Sequence, residues 1–203
     1  MTTSPNDDAA IRWDNPIFAG PGSHDRPVDI TLGTNFVGSP SANVIGITGR
    51  SYAGPATKYD IVTVLIEAGT GNLWSVWGNV GWGKGARSFD GTAHSNDRPV
   101  GLDLHWTNLL HDESGGDLFV VVAGTTRSVN NSQTNDDIWT IEYEPNGDVR
   151  WEQVYNGPAN GDDVATAMTL FGGVFVCGYT PHYVGGDMAA TSDTDYIALA
   201  YYD

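Results

Sequence analysis

The sequence predicts an all-β chain assembled from about three copies of one four-stranded antiparallel unit. Three observations predict it. Apolar runs that end in glycine and then turn polar recur at NVIGITGRS, LFVVVAGTT and VFVCGYT. Aspartate-led runs of alternating character recur at YDIVTVLIEAGTGNLW, DDIWTIEYEPNGDVRW and TDYIALAYYD. Glycine and proline, 26 and 10 of the 203 residues, punctuate short segments, and no stretch holds a 3.6-residue period.

Each unit divides into segments A to D in chain order. A covers roughly 28–33, 100–105 and 164–170, each entered from a polar loop: HSNDRPVGLDL at 94–104 parallels SHDRPVDITL at 23–32. B covers 44–49, 118–124 and 173–178 and places Gly49, Gly124 and Gly178 in register. C covers 60–67, 137–144 and 195–202, rich in β-branched and aromatic residues, and aligns Asp60, Asp137 and Asp195. D covers 73–77, 149–155 and 10–13, reached in two copies through the turns AGTGN and EPNGD, with Asn146-Gly147 a strong hairpin signal. Trp13, Trp74 and Trp151 fall at equivalent D positions and are expected to pack between units. The chain opens with D and closes with C, so its first strand would complete its last unit. The units then run about 28–80, 100–155, and 163–203 plus 10–18, after a polar tail at 1–9. Four-stranded antiparallel units recurring 54 to 77 residues apart describe β-propeller blades.

The frame of Asp162, Val176, Gly178, Thr180 and Asp195, with the Gly147 turn and Trp151, resembles the bacterial seven-bladed β-propeller repeat over about residues 10–203. The chain departs from that pattern in the long connector at 78–99 and in the turns SPSAN, ESGGD and FGG before strand B. The resemblance implies an extracellular or surface-attached bacterial protein, of a family mostly without assigned activity. Propellers typically have four to eight blades. Three therefore imply either part of a longer propeller or two chains pairing three plus three as a homodimer, joined through the edge strands at 10–13 and 195–202. An unpaired DYIALAYY edge would favour association.

Twenty-five acidic residues against nine basic ones give a net charge of −16. That field repels phosphate backbones and anionic membrane surfaces, so no nucleic-acid partner is expected. No run of 18 apolar residues predicts membrane insertion, and the start MTTSPNDDAA has no signal-peptide pattern. Cys177 is the single cysteine, which excludes an internal disulfide; its place in VFVCG predicts a small buried core residue.

Strand direction puts the D–A and B–C loops at one end, and these are the long ones. Binding function concentrates in long loops on a rigid scaffold. The candidate binding residues are Asp60, Trp82, Asp97, Asp137, Tyr179, His182, Tyr183 and Asp195, with Tyr52, Tyr59 and Phe89 as further aromatic surface. Aromatic faces with carboxylates suit a carbohydrate or a protein partner. The repeated Asp25, Asp97 and Asp162, with Asp60, Asp137 and Asp195, most simply tie down turns through backbone N–H groups. No nucleophile, phosphate-loop or dinucleotide motif appears, and the five histidines have no zinc spacing. HDESGGD at 111–117 reads as a glycine-rich turn, and Asn130-Asn131-Ser132 is a formal glycosylation sequon. No metal site or cofactor is predicted. Calcium is the one ion the acidic loops suggest, although SDTDY and TNDDIW lack the spacing of a calcium loop. The expected function is a non-catalytic interaction module. The alternatives are a polysaccharide hydrolase or lyase using carboxylates among Asp60, Asp97, Asp137 and Asp195, or a purely structural piece of a larger propeller protein.

Overall fold

The computed structural model describes residues 24–33, 43–75, 77, 85–107, 117–130, 133–182 and 193–202. They form eleven strands and no helix: β1 (Asp25–Gly33), β2 (Val44–Gly54), β3 (Lys58–Glu67), β4 (Ala86–Phe89), β5 (Arg98–Thr107), β6 (Asp117–Asn130), β7 (Gln133–Tyr143), β8 (Val149–Tyr155), β9 (Val164–Leu170), β10 (Val174–Pro181) and β11 (Thr194–Tyr201). These make three antiparallel sheets in the orders β1-β2-β3-β4, β5-β6-β7-β8 and β11-β10-β9. The repeated A, B and C segments each become a strand. The strand expected at 10–13, Trp13 and the tail at 1–9 lie outside the described residues.

The three register glycines share one cause. A Cβ on Gly49, Gly124 or Gly178 would lie 2.4, 2.4 or 2.1 Å from the carbonyl oxygen of Arg26, Arg98 or Val164 on the neighbouring first strand. Beside each contact the pairing slips by a residue: between Pro27 and Asp29, between Pro99 and Gly101, and between Cys177 and Gly178. Backbone meets backbone there, and only glycine fits.

Sheet 1 departs from the expected pattern. After the AGTGN turn, Leu73 bridges Ile66 and the Trp74 N–H donates to the Leu65 carbonyl at 2.8 Å. The strand expected at 73–77 stops there. Leu65 N–H instead donates to Gly85 O at 2.9 Å, and β4 continues the pairing from Val64 to Ile61. The fourth strand is thus split by an insertion between Trp74 and Ala86. Glu142, opposite Trp151 in sheet 2, occupies the place of Leu65, so the Trp74–Trp151 equivalence holds. In sheet 2 the EPNGD turn forms as expected. Gly147, at φ 84°, donates to Glu144 O at 2.7 Å, and Asp148 N–H donates to Asn146 Oδ1 at 2.8 Å.

The sheets pack in chain order. β5 lies against β1 and β2, and β9 lies against β5, β6 and β7. One apolar core between sheets 1 and 2 holds Val44, Leu65, Trp77, Leu102, Val120, Trp139 and Ile141. A second, between sheets 2 and 3, holds Val121, Ala123, Ile138, Val174 and Val176, with Trp151 and Tyr201 packed against it. Phe89, expected on the loop surface, instead stacks on Trp139 with centroids 4.1 Å apart, which fastens sheet 1 to sheet 2. Cys177 is exposed rather than buried. Its neighbour Val176 takes the core side of β10, and strand alternation turns Cys177 to the opposite face.

Candidate functional site

The loops that enter β5 and β9 share one construction. Six residues before the last loop residue, an aspartate, a glycine N–H donates to its carboxylate: Gly91 to Asp97 Oδ2 at 2.9 Å and Gly157 to Asp163 Oδ2 at 2.6 Å. Three residues before that aspartate, His94 and Asn160 take the left-handed conformation, at φ 48° and 47°. Each aspartate N–H then donates to the preceding sheet, Asp97 to Tyr59 O at 2.7 Å and Asp163 to Asp136 O at 2.6 Å. Asp97 Oδ1 also accepts from the Thr126 hydroxyl at 2.8 Å and Arg127 N–H at 3.0 Å. Its counterparts, Asp163 Oδ1 and the Thr180 hydroxyl, lie near each other without meeting hydrogen-bond geometry. The repeat aspartate of sheet 3 is therefore Asp163, not Asp162. Asp162 sits one step outward and accepts from Asp136 N–H at 3.0 Å.

Asp60, Asp97 and Asp137 are buried, at 5 %, 0 % and 0 % exposure. Asp60 and Asp97 come together with Asp90, so that one ligand atom from each lies within 4.8 Å of the others. Burial, with Asp90 and Asp97 beside it, pushes the Asp60 pKa up to about 7. Burial also raises Asp97, against the three donors that hold it. Asp137 lies at the next junction, where Asn135 Nδ2 donates to its Oδ1 at 3.3 Å. His182 and Asp195 form an exposed pair, Nδ1 to Oδ2 at 2.8 Å. Trp82 and Tyr183 lie outside the described residues, as do 111–116 of the HDESGGD turn and Asn131-Ser132 of the sequon.

Tyr179, 38 % exposed, lines a groove of about 820 Å³ at the long-loop end between sheets 2 and 3. Its other walls include the polar residues Arg98, Gln133, Asp136, Asn160, Asp162 and Asp193, with Val164 and Pro181. Asp136 is held by Arg98 Nη2 at 2.6 Å and Arg127 Nη1 at 3.3 Å. Asn156 Nδ2 donates to Asn160 Oδ1 at 2.6 Å, and Asn160 Nδ2 to Gln133 Oε1, so these amides are ordered together. Sequence reasoning did not single out Asp90, Asp136 or Asn160. The paired spacings Asp90-Gly91…Asp97 and Asn156-Gly157…Asp163 carry the missing signal.

A second cavity, of about 430 Å³, lies lower between sheets 2 and 3, lined by His105, Glu142, Trp151, Leu170 and Tyr201 among others. Glu142 is buried and accepts from Trp151 Nε1, from His105 Nε2 at 2.7 Å and from Arg150 Nη1 at 3.5 Å. Trp151 and Tyr201 are ring neighbours at 5.4 Å. This is a satisfied polar anchor within an inter-sheet seam.

No protein-family model matches the chain, and no curated protein matches it either.

Proposed function

We propose that the three sheets are β-propeller-type blades of the bacterial seven-bladed repeat class, forming a non-catalytic module that binds a neutral glycan at its long-loop end. The groove beside Tyr179 carries this reading. An exposed aromatic face supplies the apolar contact that a sugar ring needs. The ordered amides Gln133 and Asn160 and the carboxylates Asp136, Asp162 and Asp193 supply donors and acceptors for hydroxyl groups. The net charge of −16 disfavours acidic sugars. The blade reading is supported by the repeated role of Gly49, Gly124 and Gly178 and by the succession of β1, β5 and β9 along the stack.

The test is an array of soluble neutral oligosaccharides, followed by titration calorimetry on the hits. Tyr179→Ala and Asn160→Ala should each weaken binding at least tenfold. An array with no hit at millimolar sugar, or a hit indifferent to both changes, sinks the reading.

A further inference from the structure

The aspartates at the two sheet junctions are equivalent in position but not in company. At the junction of sheets 2 and 3 the trio is Asp137, Asn156 and Asp163. Asn135 supplies the donor there: its Nδ2 reaches Asp137 Oδ1 at 3.3 Å, Asn156 Oδ1 at 3.3 Å and Gly161 O at 2.7 Å. A neutral amide thus fills the space among the oxygens.

At the junction of sheets 1 and 2 the same three positions are Asp60, Asp90 and Asp97. The residue matching Asn135, two before the strand aspartate, is Lys58, which is exposed and sits at φ 60°. Among the described residues no amide is inserted there. Asp60 is 95 % buried; the Thr57 hydroxyl lies beside it, and among the described residues no donor meets its Oδ1 in hydrogen-bond geometry. Asp90 Oδ1 is likewise buried and without a donor, while its Oδ2 is bonded by His94 Nδ1 at 2.6 Å. Three carboxylates therefore converge where the neighbouring junction has two carboxylates and two amides, Asn156 and Asn135. Buried polar atoms in native proteins are nearly always partnered, so orphan oxygens on two of three converging carboxylates call for a cation.

We propose that Asp60, Asp90 and Asp97 bind one divalent cation of the calcium class. The donor set is all oxygen, which selects hard ions over zinc or copper. Calcium takes several carboxylate oxygens in a flexible geometry, whereas magnesium keeps most of its own waters, so three converging carboxylates suit calcium better. Asp97, fixed by Gly91, Thr126 and Arg127, gives the ion a rigid wall, and the partly exposed Asp90 gives it an entrance. The ion would tie the third strand of sheet 1 to the loop that begins sheet 2. This inference does not depend on glycan binding.

The experiment uses the whole chain, stripped with EDTA and dialysed, with calcium alone as the probe. Calorimetry should find one site per chain with Kd on the order of 10⁻⁴ M, and calcium should raise the melting temperature. Asp90→Asn, at a partly exposed position, should weaken binding at least tenfold. Asp60→Asn should abolish it. The exposed Asp117→Asn, matched in charge, should leave it unchanged. No heat and no thermal shift at 10-fold above that concentration would overturn the proposal and leave a protonated Asp60. Calcium binding unaffected by Asp90→Asn and Asp60→Asn would overturn it by placing the ion elsewhere. Magnesium binding as tightly as calcium would overturn the choice of ion.

Discussion

Replacing Gly124 by alanine tests the strand contact on which the repeat is built. The added methyl would sit 2.4 Å from Arg98 O and 2.9 Å from Pro99 Cα, against an ordinary contact of at least 3.4 Å. The overlap is about 1 Å, and both obstructing atoms are backbone, so no side chain can swing aside. β5 and β6 must part at the bulge. Overpacking costs about 1–3 kcal/mol, and the upper end applies where the backbone itself has to move. A loss of about 3 kcal/mol corresponds to roughly 6–12 °C in a chain of this length. Gly69 supplies the control. It has no atom within 4 Å of an added Cβ and no left-handed φ, so Gly69→Ala should stay within about 0.5 kcal/mol or stabilise slightly. Urea unfolding followed by the fluorescence of the seven tryptophans reads both variants. Should Gly124→Ala unfold at the wild-type midpoint, or Gly69→Ala lose as much, the steric account of the register glycines is wrong.

Three further outcomes are expected. Glu142→Ala strips the acceptor from Trp151 Nε1 and His105 Nε2 and should cost about 2–3 kcal/mol in urea unfolding, with Glu142→Gln recovering part of it; equal losses for both would remove the hydrogen bonds as the cause. Burial raises the Asp163 pKa above its usual 3.8, so Asp163 favours the fold below about pH 4, and that contribution is lost as pH rises through the native pKa. Asp163→Asn should therefore gain stability relative to wild type as pH rises above about 4, measured as urea midpoints in EDTA; a difference that stays constant as pH rises would contradict the sign. Val28, Ile30 and Leu32 on β1 are 50 %, 65 % and 54 % exposed and Tyr196 on β11 is fully exposed, so light scattering should give a mass near twice 21.7 kDa, and Ile30→Glu should return the mass of one chain. A wild-type chain already at 21.7 kDa would exclude the three-plus-three homodimer.

The strands were legible because each repeats a physical constraint three times over. Period-two alternation marks β3 and β7, and a glycine that tolerates no Cβ marks each of β2, β6 and β10. β4 was not legible. Its four residues, ARSF, carry too short a pattern, and Leu73-Trp74 gives a true but truncated start to the same strand. The candidate site was half legible. Asp60 and Asp97 stood out by repetition, yet their meeting with Asp90 depends on a turn whose geometry comes from Gly91 and a left-handed His94. Two adjacent aspartates also left the choice between Asp162 and Asp163 to a one-residue register. Pairing of Pro99 with Gly124 and of Ala165 with Gly178 decides it for Asp163.

The backbone bonds from Asp97 to Tyr59 and from Asp163 to Asp136 mean that each new sheet is moored to its predecessor before its own first strand begins. Such a chain orders itself like a zip fastener rather than as three independent leaves. Amide hydrogen exchange should then find the two mooring protons released only when a flanking sheet opens as a whole, which makes them reporters of how far an opening travels along the stack.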